Sequence, residues 1–284
     1  MYKLAVFDMD GTLLNSNGEI SQENLKALDY LKEKGIRVII ATGRPGELLK
    51  KYTDDLKIDE FVVTCNGSVI ANPFKDDVLH ENTIDKESVV KVVDMCEEYN
   101  YGYLLYTKDA IVSRDNSRLR LYKKMGRAYI KRHLANIVET EDSDFIKHNF
   151  APNKILLTES DPLRYNEMVE KVSQLKTVES AQSFRGALDL SPIGDTKGSA
   201  VAKLCIHYGI LKEEVIAFGD NHNDLSMIEY AGMGVAMGNA EEVVKQAANF
   251  VTLSNNDNGI AHAIYKFIKW KINRITLFIK LINI

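Results

Sequence analysis

The chain has 284 residues, which at about 150 residues per domain predicts two domains, each long enough to bury a hydrophobic core. Hydrophobic residues make up 45% of the chain and charged residues 27%, a balance that excludes a disordered or collagen-like protein. The 36 Lys and Arg against 40 Asp and Glu give a formal net charge of −4, so no general positive field would attract nucleic acid. We therefore expect no nucleic-acid partner.

Cysteine usage and the N-terminus indicate a cytoplasmic protein. Cys65, Cys96 and Cys205 are widely spaced and odd in number, which fits neither a disulfide framework nor a CxxC metal site, so we expect reduced thiols. The N-terminal apolar stretch, Leu4–Phe7, ends at once at Asp8 and is too short for a signal peptide. Uncharged runs stay below about 18 residues, so a membrane-spanning helix is not expected.

The two ends of the chain alternate strand and helix patterns. Ser21–Lys34 has helical spacing, with Ser21 as a candidate N-cap and Gly35 where a helix-ending glycine is expected. The apolar runs that predict strands are Leu4–Phe7, Ile36–Ala41, Phe61–Thr64, Val215–Phe218 and Gly234–Met237. Because buried parallel strands are continuous apolar runs, the sequence predicts an α/β fold, a doubly wound Rossmann-like parallel-sheet core built from both ends of the chain.

The middle of the chain is richer in tyrosine and charge and has a different pattern. Strand patterns at Tyr103–Tyr106 and Ile155–Thr158 accompany helix patterns at Ser88–Tyr99 and Pro162–Gln174. We therefore expect an inserted α+β cap domain and a discontinuous catalytic core domain. The expected boundaries are 84–186 for the cap, and 1–83 with 187–284 for the core.

Polar, glycine-containing segments follow three of the predicted strands: Asp8–Thr12, Thr42–Arg44 and Gly219–Asp224. Ligands of an open α/β sheet bind beyond the carboxyl ends of its strands, so we expect these segments to converge. Acidic and amide groups gathered there would need a hard cation, and oxygen-only ligands select Mg²⁺. Such an ion beside flexible glycines favours a phosphate ester as substrate. The groups are Asp8, Asp10, Asp220, Asn223 and Asp224.

A fourth motif, Asp195–Gly198, opens a helix pattern that runs to about Tyr208. Its Lys197 lies near a helix N-terminus, where anions are already favoured. Lys197 would supply the cation opposite the metal that takes up charge on a transferring phosphoryl group.

These four motifs, with a long insertion between the second and third, resemble those of the haloacid dehalogenase-like superfamily of phosphohydrolases, and more narrowly its Cof-type branch. The resemblance covers roughly Met1–Ile268 and includes Thr64–Gly67 and Gly234–Ala240. It implies that Asp8 is the nucleophile that forms an aspartyl-phosphate. It also implies that Asp10 protonates the leaving alkoxide and then activates water.

The resemblance further implies the remaining roles. Thr42 and Lys197 would join Asp8 and Asp10 as catalytic residues. Phosphate would be bound by Met9, Thr42, Gly43, Lys197 and Asn223. Mg²⁺, the expected cofactor, would be ligated by Asp8, the carbonyl of Asp10, and Asp220. Asp224 would orient Lys197 or a metal-bound water rather than bind the ion directly.

Two further residues are candidates for the substrate side of the site. Arg44 could meet a second phosphate or the inserted domain, or it could be a solvated surface group. Asn66 follows the third predicted strand at the same edge as Asp8, although Asn66–Gly67 could also be only a tight turn. His222 is interpreted as a plain loop residue.

The sequence thus predicts a Mg²⁺-dependent phosphatase that hydrolyses small phosphate monoesters through an aspartyl-phosphate. The resemblance suggests sugar phosphates or phosphorylated cofactors as substrates. A phosphomutase that uses the same intermediate, and a non-catalytic binding module on this fold, are the alternatives. The expected partner is a small phosphorylated metabolite, and the expected assembly is a monomer or homodimer.

The end of the chain, Ile264–Ile284, carries five basic residues and no acidic one. Its apolar residues fall near one helical face, so the segment could lie on an anionic membrane surface. We favour the alternative that this face packs within protein, and so expect no membrane partner.

Overall fold

A computed structural model describes residues 1–46, 49, 52–53, 56, 58–75, 77–108, 110–113 and 136–268. Residues 269–284 of the cationic end of the chain lie outside these residues, so both interpretations of that end stay predictions. Among the helices that the structure describes, none is long and apolar enough to cross a membrane.

The described residues form the following β-strands and α-helices, each kind numbered in order along the chain. The strands are β1 (Leu4–Phe7), β2 (Arg37–Ile40), β3 (Val62–Thr64), β4 (Val69–Asn72), β5 (Asp77–Glu81), β6 (Gly102–Tyr106), β7 (Ala110–Ser113), β8 (Asn136–Glu139), β9 (Lys154–Thr158), β10 (Val178–Phe184), β11 (Ala187–Pro192), β12 (Val215–Gly219), β13 (Met233–Ala236) and β14 (Phe250–Val251). The helices with described bounds are α1 (Gln22–Glu33), α2 (Lys86–Tyr99), α3 (Ser143–Asn149), α4 (Pro162–Ser173), α5 (Lys197–Tyr208), α6 (Leu225–Tyr230), α7 (Glu242–Ala247) and α8 (Gly259–Phe267). Ser21 caps α1 as predicted, because its Oγ accepts a hydrogen bond from the Asn24 amide at 3.2 Å.

The two ends of the chain form one five-stranded parallel sheet, in the order β14-β13-β12-β1-β2. Residues of β1 point alternately to its two faces. Ala5 and Phe7 pack with α1 and α8 on one face, whereas Leu4 and Val6 pack with α5 on the other. Helices therefore cover both faces, which confirms the predicted doubly wound core.

The parallel sheet continues past β2 through one bridge, Ala41 to Val63. The Thr42 amide donates to the Val63 carbonyl at 2.9 Å, so the loops after β2 and β3 leave the sheet side by side. β3 also begins a three-stranded antiparallel sheet with β4 and β5.

A separate six-stranded sheet, here called the cap sheet, has the order β10-β11-β9-β6-β7-β8. Its pairs are antiparallel except for β7 with β8. Val92 of α2 and Met168 of α4 pack against Leu105 and Ile155 of this sheet. The six residues of β11 lie beyond the predicted cap boundary at residue 186. The division of the chain into domains stays a prediction.

One buried carboxylate joins the two chain segments that pass between the core and the cap sheet. Asp195, on the returning segment, accepts hydrogen bonds from Asn82 Nδ2 at 2.9 Å and from Lys203 Nζ at 2.8 Å. It also lies 2.9 Å from His80 Nε2 on the outgoing segment. Because Asp195 directly precedes Thr196, the N-cap of α5, this cluster fixes where α5 begins.

Gly67 offers a test of how tightly the rim of the sheet packs on α5. It adopts a φ of +110°, and a Cβ built there would collide with the Thr196 carbonyl, whereas a Cβ at Gly18 (φ +75°) would meet no atom within 4 Å. A left-handed alanine costs about 1–2 kcal/mol, and forced displacement of packed atoms adds about 1–3 kcal/mol. We expect Gly67→Ala to lower the Tm by several degrees more than Gly18→Ala in thermal denaturation. Equal losses would contradict this packing.

Candidate active site

Three loops meet at the carboxyl edge of the parallel sheet. β1 leads into Asp8, and the Asp8 amide donates to the Phe218 carbonyl at 3.0 Å, which aligns the ends of β1 and β12. On the other side of β1, the Ala41 amide donates to the Phe7 carbonyl at 2.9 Å, just before Thr42. The predicted convergence of the three polar segments is therefore confirmed.

The ammonium group of Lys197 lies at the centre of the site and is fully buried. Its Nζ lies 2.6 Å from Asp8 Oδ1 and 2.6 Å from Asp224 Oδ1. Burial alone lowers the pKa of Lys197, but the charges of Asp224 and Asp8 outweigh that effect and raise its pKa above the ordinary value. Lys197 is therefore a permanent cation that holds two carboxylates in fixed positions.

The start of α5 is held close to the first turn of α6. The Gly198 amide donates to Ser226 Oγ at 3.0 Å, and a Cβ at Gly198 would collide with the Ser226 carbonyl. Thr196 caps the helix, since its side chain accepts from the Ser199 amide. This close approach brings Lys197 to Asp224 although the two are 27 residues apart.

Asp224 uses both of its oxygens within the protein. Oδ1 accepts from Lys197, and Oδ2 accepts from the amides of Asp220 and Asn221 at 2.9 and 3.0 Å. Asp220, by contrast, receives one hydroxyl hydrogen bond, from Thr12 Oγ1 to its Oδ1 at 2.7 Å. Asp224 is thus arranged to orient its neighbours, and Asp220 keeps oxygen lone pairs for another ligand.

Three buried carboxylates could hold a metal ion. One oxygen from each of Asp8, Asp220 and Asp224 lies within 4.8 Å of the others. Burial and the neighbouring Asp224 charge raise the pKa of Asp8 well above its usual range and raise the pKa of Asp220 to about 7. A divalent cation bound beside these carboxylates would favour their ionised forms. The donor set, all oxygen, fits a hard divalent ion such as Mg²⁺.

The Asp10 carboxylate is not part of this buried group. Its side chain is 61% exposed, and Arg44 binds both of its oxygens, with Nε at 2.7 Å and an Nη at 2.5 Å. Burial opposes the charge of Arg44, but the hydrogen bonds and charge of Asp10 raise the Arg44 pKa further. Arg44 is thus paired with Asp10. The predicted contacts of Arg44 with a second phosphate or with the inserted domain, and that of the Asp10 carbonyl with a metal, stay predictions.

The Thr42–Gly43 turn is joined to Asn66 and Asn223. The backbone N–H of Asn66 donates to the Thr42 carbonyl at 3.1 Å, and Thr42 Oγ1 accepts from the backbone N–H of Arg44 at 3.2 Å. Asn223 Nδ2 donates to Asn66 Oδ1 at 3.1 Å. The structure therefore brings all of these predicted phosphate and substrate residues to one edge. Met9 contributes only its backbone there, because its side chain is buried in the core.

Sequence reasoning missed two residues of the cap sheet that reach this edge. Asp189 Oδ2 accepts from Asn66 Nδ2 at 2.8 Å, and Asp189 Oδ1 accepts from Lys154 Nζ at 2.9 Å. Both charged side chains are buried. The available signal was a charged residue within each of two otherwise apolar strand patterns, since charges are rarely buried unless they are paired.

A cavity of about 240 Å³ lies between the core and the cap sheet. Its core side includes Asn66, Asn223 and His222, and its cap-sheet side includes Ser180 and Ser191. His222 is exposed on the cavity wall, at the start of a short 3-10 turn that ends at Asp224. Its interpretation as a plain loop residue stays a prediction.

The sequence and the fold are both similar to known proteins. A family model described as haloacid dehalogenase-like hydrolase matches residues 5–264. The chain is 31% identical to a 5-amino-6-(5-phospho-D-ribitylamino)uracil phosphatase, YcsE, of Bacillus subtilis, over 92% of this chain and 94% of that protein. It is 29% identical to the pyridoxal phosphate phosphatase YbhA of Escherichia coli, over 93% and 97% of the two chains.

A solved structure is also similar to this protein in sequence and in fold. A haloacid dehalogenase-like hydrolase from B. subtilis superposes with a TM-score of 0.83 at 30% identity, and the match covers 93% of this chain and 99% of that one. The family-model match, residues 5–264, includes every candidate site residue discussed above. The chain therefore belongs to the haloacid dehalogenase-like hydrolases, as a member with a cap-sheet region beside its parallel-sheet core.

Proposed function

We propose that this protein is a Mg²⁺-dependent phosphatase that hydrolyses small phosphate monoesters through an aspartyl-phosphate on Asp8. The observation that carries this proposal is the buried contact of Lys197 with Asp8 and Asp224 at the carboxyl edge of the sheet. If Lys197 served only stability, its partners Asp8 and Asp224 would be enough. A third buried carboxylate beside them, Asp220, adds negative charge that costs stability and therefore indicates another role.

In the proposed first step, an Asp8 oxygen attacks phosphorus. Lys197 already holds Oδ1, and among the described residues Asp8 Oδ2 accepts no hydrogen bond, which makes it the oxygen available for attack. The phosphorus–oxygen bond to the leaving group breaks as the new bond forms, and Asp10 donates a proton to the leaving alkoxide. Water then attacks phosphorus, Asp10 accepts its proton, and the Asp8–phosphorus bond breaks to release phosphate.

Other residues would bind the phosphoryl oxygens and the metal. Thr42, the Gly43 amide and Asn223 border the Asp8 loop and would donate hydrogen bonds to these oxygens. Asp8, Asp220 and the Asp10 carbonyl would hold Mg²⁺, which when bound would neutralise negative charge on the phosphoryl group.

The substrate is proposed to be a small phosphorylated metabolite, either a sugar phosphate or a phosphorylated cofactor. Support comes from the two relatives named above, which are phosphatases of small phosphorylated metabolites by name. The cavity between the core edge and the cap sheet indicates that side chains of the cap sheet help to choose the leaving group.

The nucleophile is tested by Asp8→Asn in a screen of phosphorylated metabolites with phosphate release as the readout. The amide keeps an oxygen for Lys197 but cannot attack phosphorus, so we expect a rate at least about 10³-fold lower with the fold intact. Asp29→Asn, at an exposed carboxylate on α1, is the matched control and should keep the wild-type rate. Turnover by Asp8→Asn at the control rate would refute the aspartyl-phosphate mechanism.

The acid role of Asp10 is tested with two leaving groups. Asp10→Asn should slow the hydrolysis of alkyl phosphates by about 10²–10⁴-fold, because an alkoxide needs a proton to depart. p-Nitrophenolate departs without one, so p-nitrophenyl phosphate should lose much less in its first step. Steady-state and burst kinetics on both substrates measure the difference, and equal losses in the burst phase would contradict the proposed role.

The metal site is tested by thermal stability with and without Mg²⁺. Binding to the folded state alone stabilises by about 2.7 kcal/mol at 100 times the Kd, so Mg²⁺ should raise the wild-type Tm by several degrees. Asp220→Asn relieves repulsion among buried carboxylates, so without Mg²⁺ its Tm should be at least as high as the wild-type value. The variant should lose most of the Mg²⁺ effect, whereas Asp29→Asn keeps it. A full Mg²⁺ effect in Asp220→Asn would place the ion elsewhere.

A further inference from the structure

Four side chains form a hydrogen-bonded chain from the cap sheet to the candidate active site. Lys154 Nζ donates to Asp189 Oδ1 at 2.9 Å, and Asn66 Nδ2 donates to Asp189 Oδ2 at 2.8 Å. Asn223 Nδ2 donates to Asn66 Oδ1 at 3.1 Å. Lys154, Asp189 and Asn66 are all at least nine-tenths buried, so water competes little for these contacts. We call this chain the relay.

The order of donors and acceptors along the relay is fixed, because Lys154 can only donate hydrogen bonds and an ionised Asp189 can only accept them. An ionised Asp189 only accepts hydrogen bonds, so Asn66 must present its amide nitrogen to it. The side-chain oxygen of Asn66 then faces Asn223 and accepts a hydrogen bond from its Nδ2. The orientation of the Asn223 amide is thereby set by a carboxylate on the cap sheet.

The relay passes directly beside the proposed phosphate site. A Cβ built on Gly43 would lie 2.9 Å from Asn66 Oδ1 and 3.1 Å from Asp189 Oδ2. A bare carboxylate so close to a bound phosphate would repel it. Lys154 neutralises the Asp189 charge, so the pair orients the Asn66 amide without adding net negative charge beside the phosphate. Lys154 Nζ also lies 4.7 Å from the centre of the Tyr106 ring, which stabilises its charge.

We propose that Asp189, neutralised by Lys154, is a positioning residue that acts through Asn66 to aim Asn223 at the phosphoryl group. Contact of the cap sheet with the core edge then completes the phosphate site. This inference rests on the proposed phosphatase function, since Asn223 is a phosphate ligand only under that proposal.

Asp189→Asn is the most direct test, because the amide has the shape of the carboxylate but reverses the order of hydrogen-bond donors and acceptors along the relay. Lys154 can only donate, so the oxygen of the new amide faces Lys154 and its nitrogen faces Asn66. Asn66 must then turn its oxygen toward the cap sheet and its nitrogen toward Asn223, whose Nδ2 is turned away in response. Glu159→Gln is the matched control, because Glu159 pairs with Arg164 at 2.7 Å within the cap-sheet region and makes the same charge change.

The measurements are kcat, KM and the affinity for orthovanadate, by titration calorimetry with Mg²⁺. We expect Asp189→Asn to lower kcat/KM and vanadate affinity about tenfold, and Glu159→Gln to change each less than twofold. In an Asn223→Ala background the effect of Asp189→Asn should fall below twofold, because the aimed group is already absent. A merely structural role would give the same loss in both backgrounds and would overturn the proposal.

A second variant keeps the test decisive if Asp189→Asn does not fold. Asn66→Ala removes the middle of the relay and leaves the ion pair intact, and it should show the same dependence on Asn223. Equal losses with and without Asn223 would again overturn the relay. A wild-type protein that releases no phosphate but binds vanadate would refute the proposed function alone. The vanadate affinities of the single and double variants would still show whether Asp189 acts through Asn223. A wild type that binds no vanadate would overturn both.

Discussion

The candidate site depends on one interaction, the buried ammonium of Lys197 between Asp8 and Asp224. Removing an ammonium and two carboxylates from water costs several kcal/mol for each ion, and only short contacts with opposite charge offset that cost. With Asp220 included, three carboxylates face one ammonium, so the fully ionised group carries a net charge of −2. A divalent cation would balance this charge, so the protein environment favours a metal ion at this edge of the sheet.

Much of the surrounding structure serves to hold Lys197 in place. Lys197 and Asp8 are 189 residues apart, so their contact relies on β1 and β12 lying side by side with α5 packed across them. The first turn of α5 is fixed by the Asp195 cluster before it and by Gly67 and Gly198, which both make close contacts with neighbouring backbone. A shift of this turn would separate an ammonium from two buried carboxylates, so the start of the helix is among the least free parts of the fold.

Most of the core could be predicted because its elements are local patterns. The apolar runs at Leu4–Phe7 and Val215–Phe218 are continuous, and the topology rule for parallel sheets then places the polar residues after them at one edge. The partners of those polar residues were not predictable in the same way. Nothing local to Lys154 or Asp189 indicates that strands 35 residues apart pair so that these charges meet, or that Arg44 reaches back to Asp10.

The end of the cap sheet illustrates the same limit. Leu188 and Leu190 of β11 alternate with Asp189 and Ser191, a pattern typical of a strand with one polar face, although all six residues of the strand are buried. The second segment of the predicted core domain begins at residue 187, but Ala187–Pro192 pairs with β9 and β10 in the cap sheet. Which sheet such a strand joins depends on its partners, which the sequence pattern of the strand alone does not specify.

The loop after β3 is where the core and the cap sheet constrain each other. Cys65 and Asn66 both adopt left-handed backbone conformations, which cost of order 1–3 kcal/mol each and persist only where surrounding contacts impose them. Cys65 packs among Leu104 and Leu156 of the cap sheet, and burial raises the pKa of its thiol to about 12, so it stays neutral there. Asn66 meanwhile is bonded on one side to the cap sheet and on the other to Asn223. Because neighbouring residues of one strained turn contact both units, movement of the cap sheet away from the core would release the turn and, with it, the Asn223 amide that faces the proposed phosphate site.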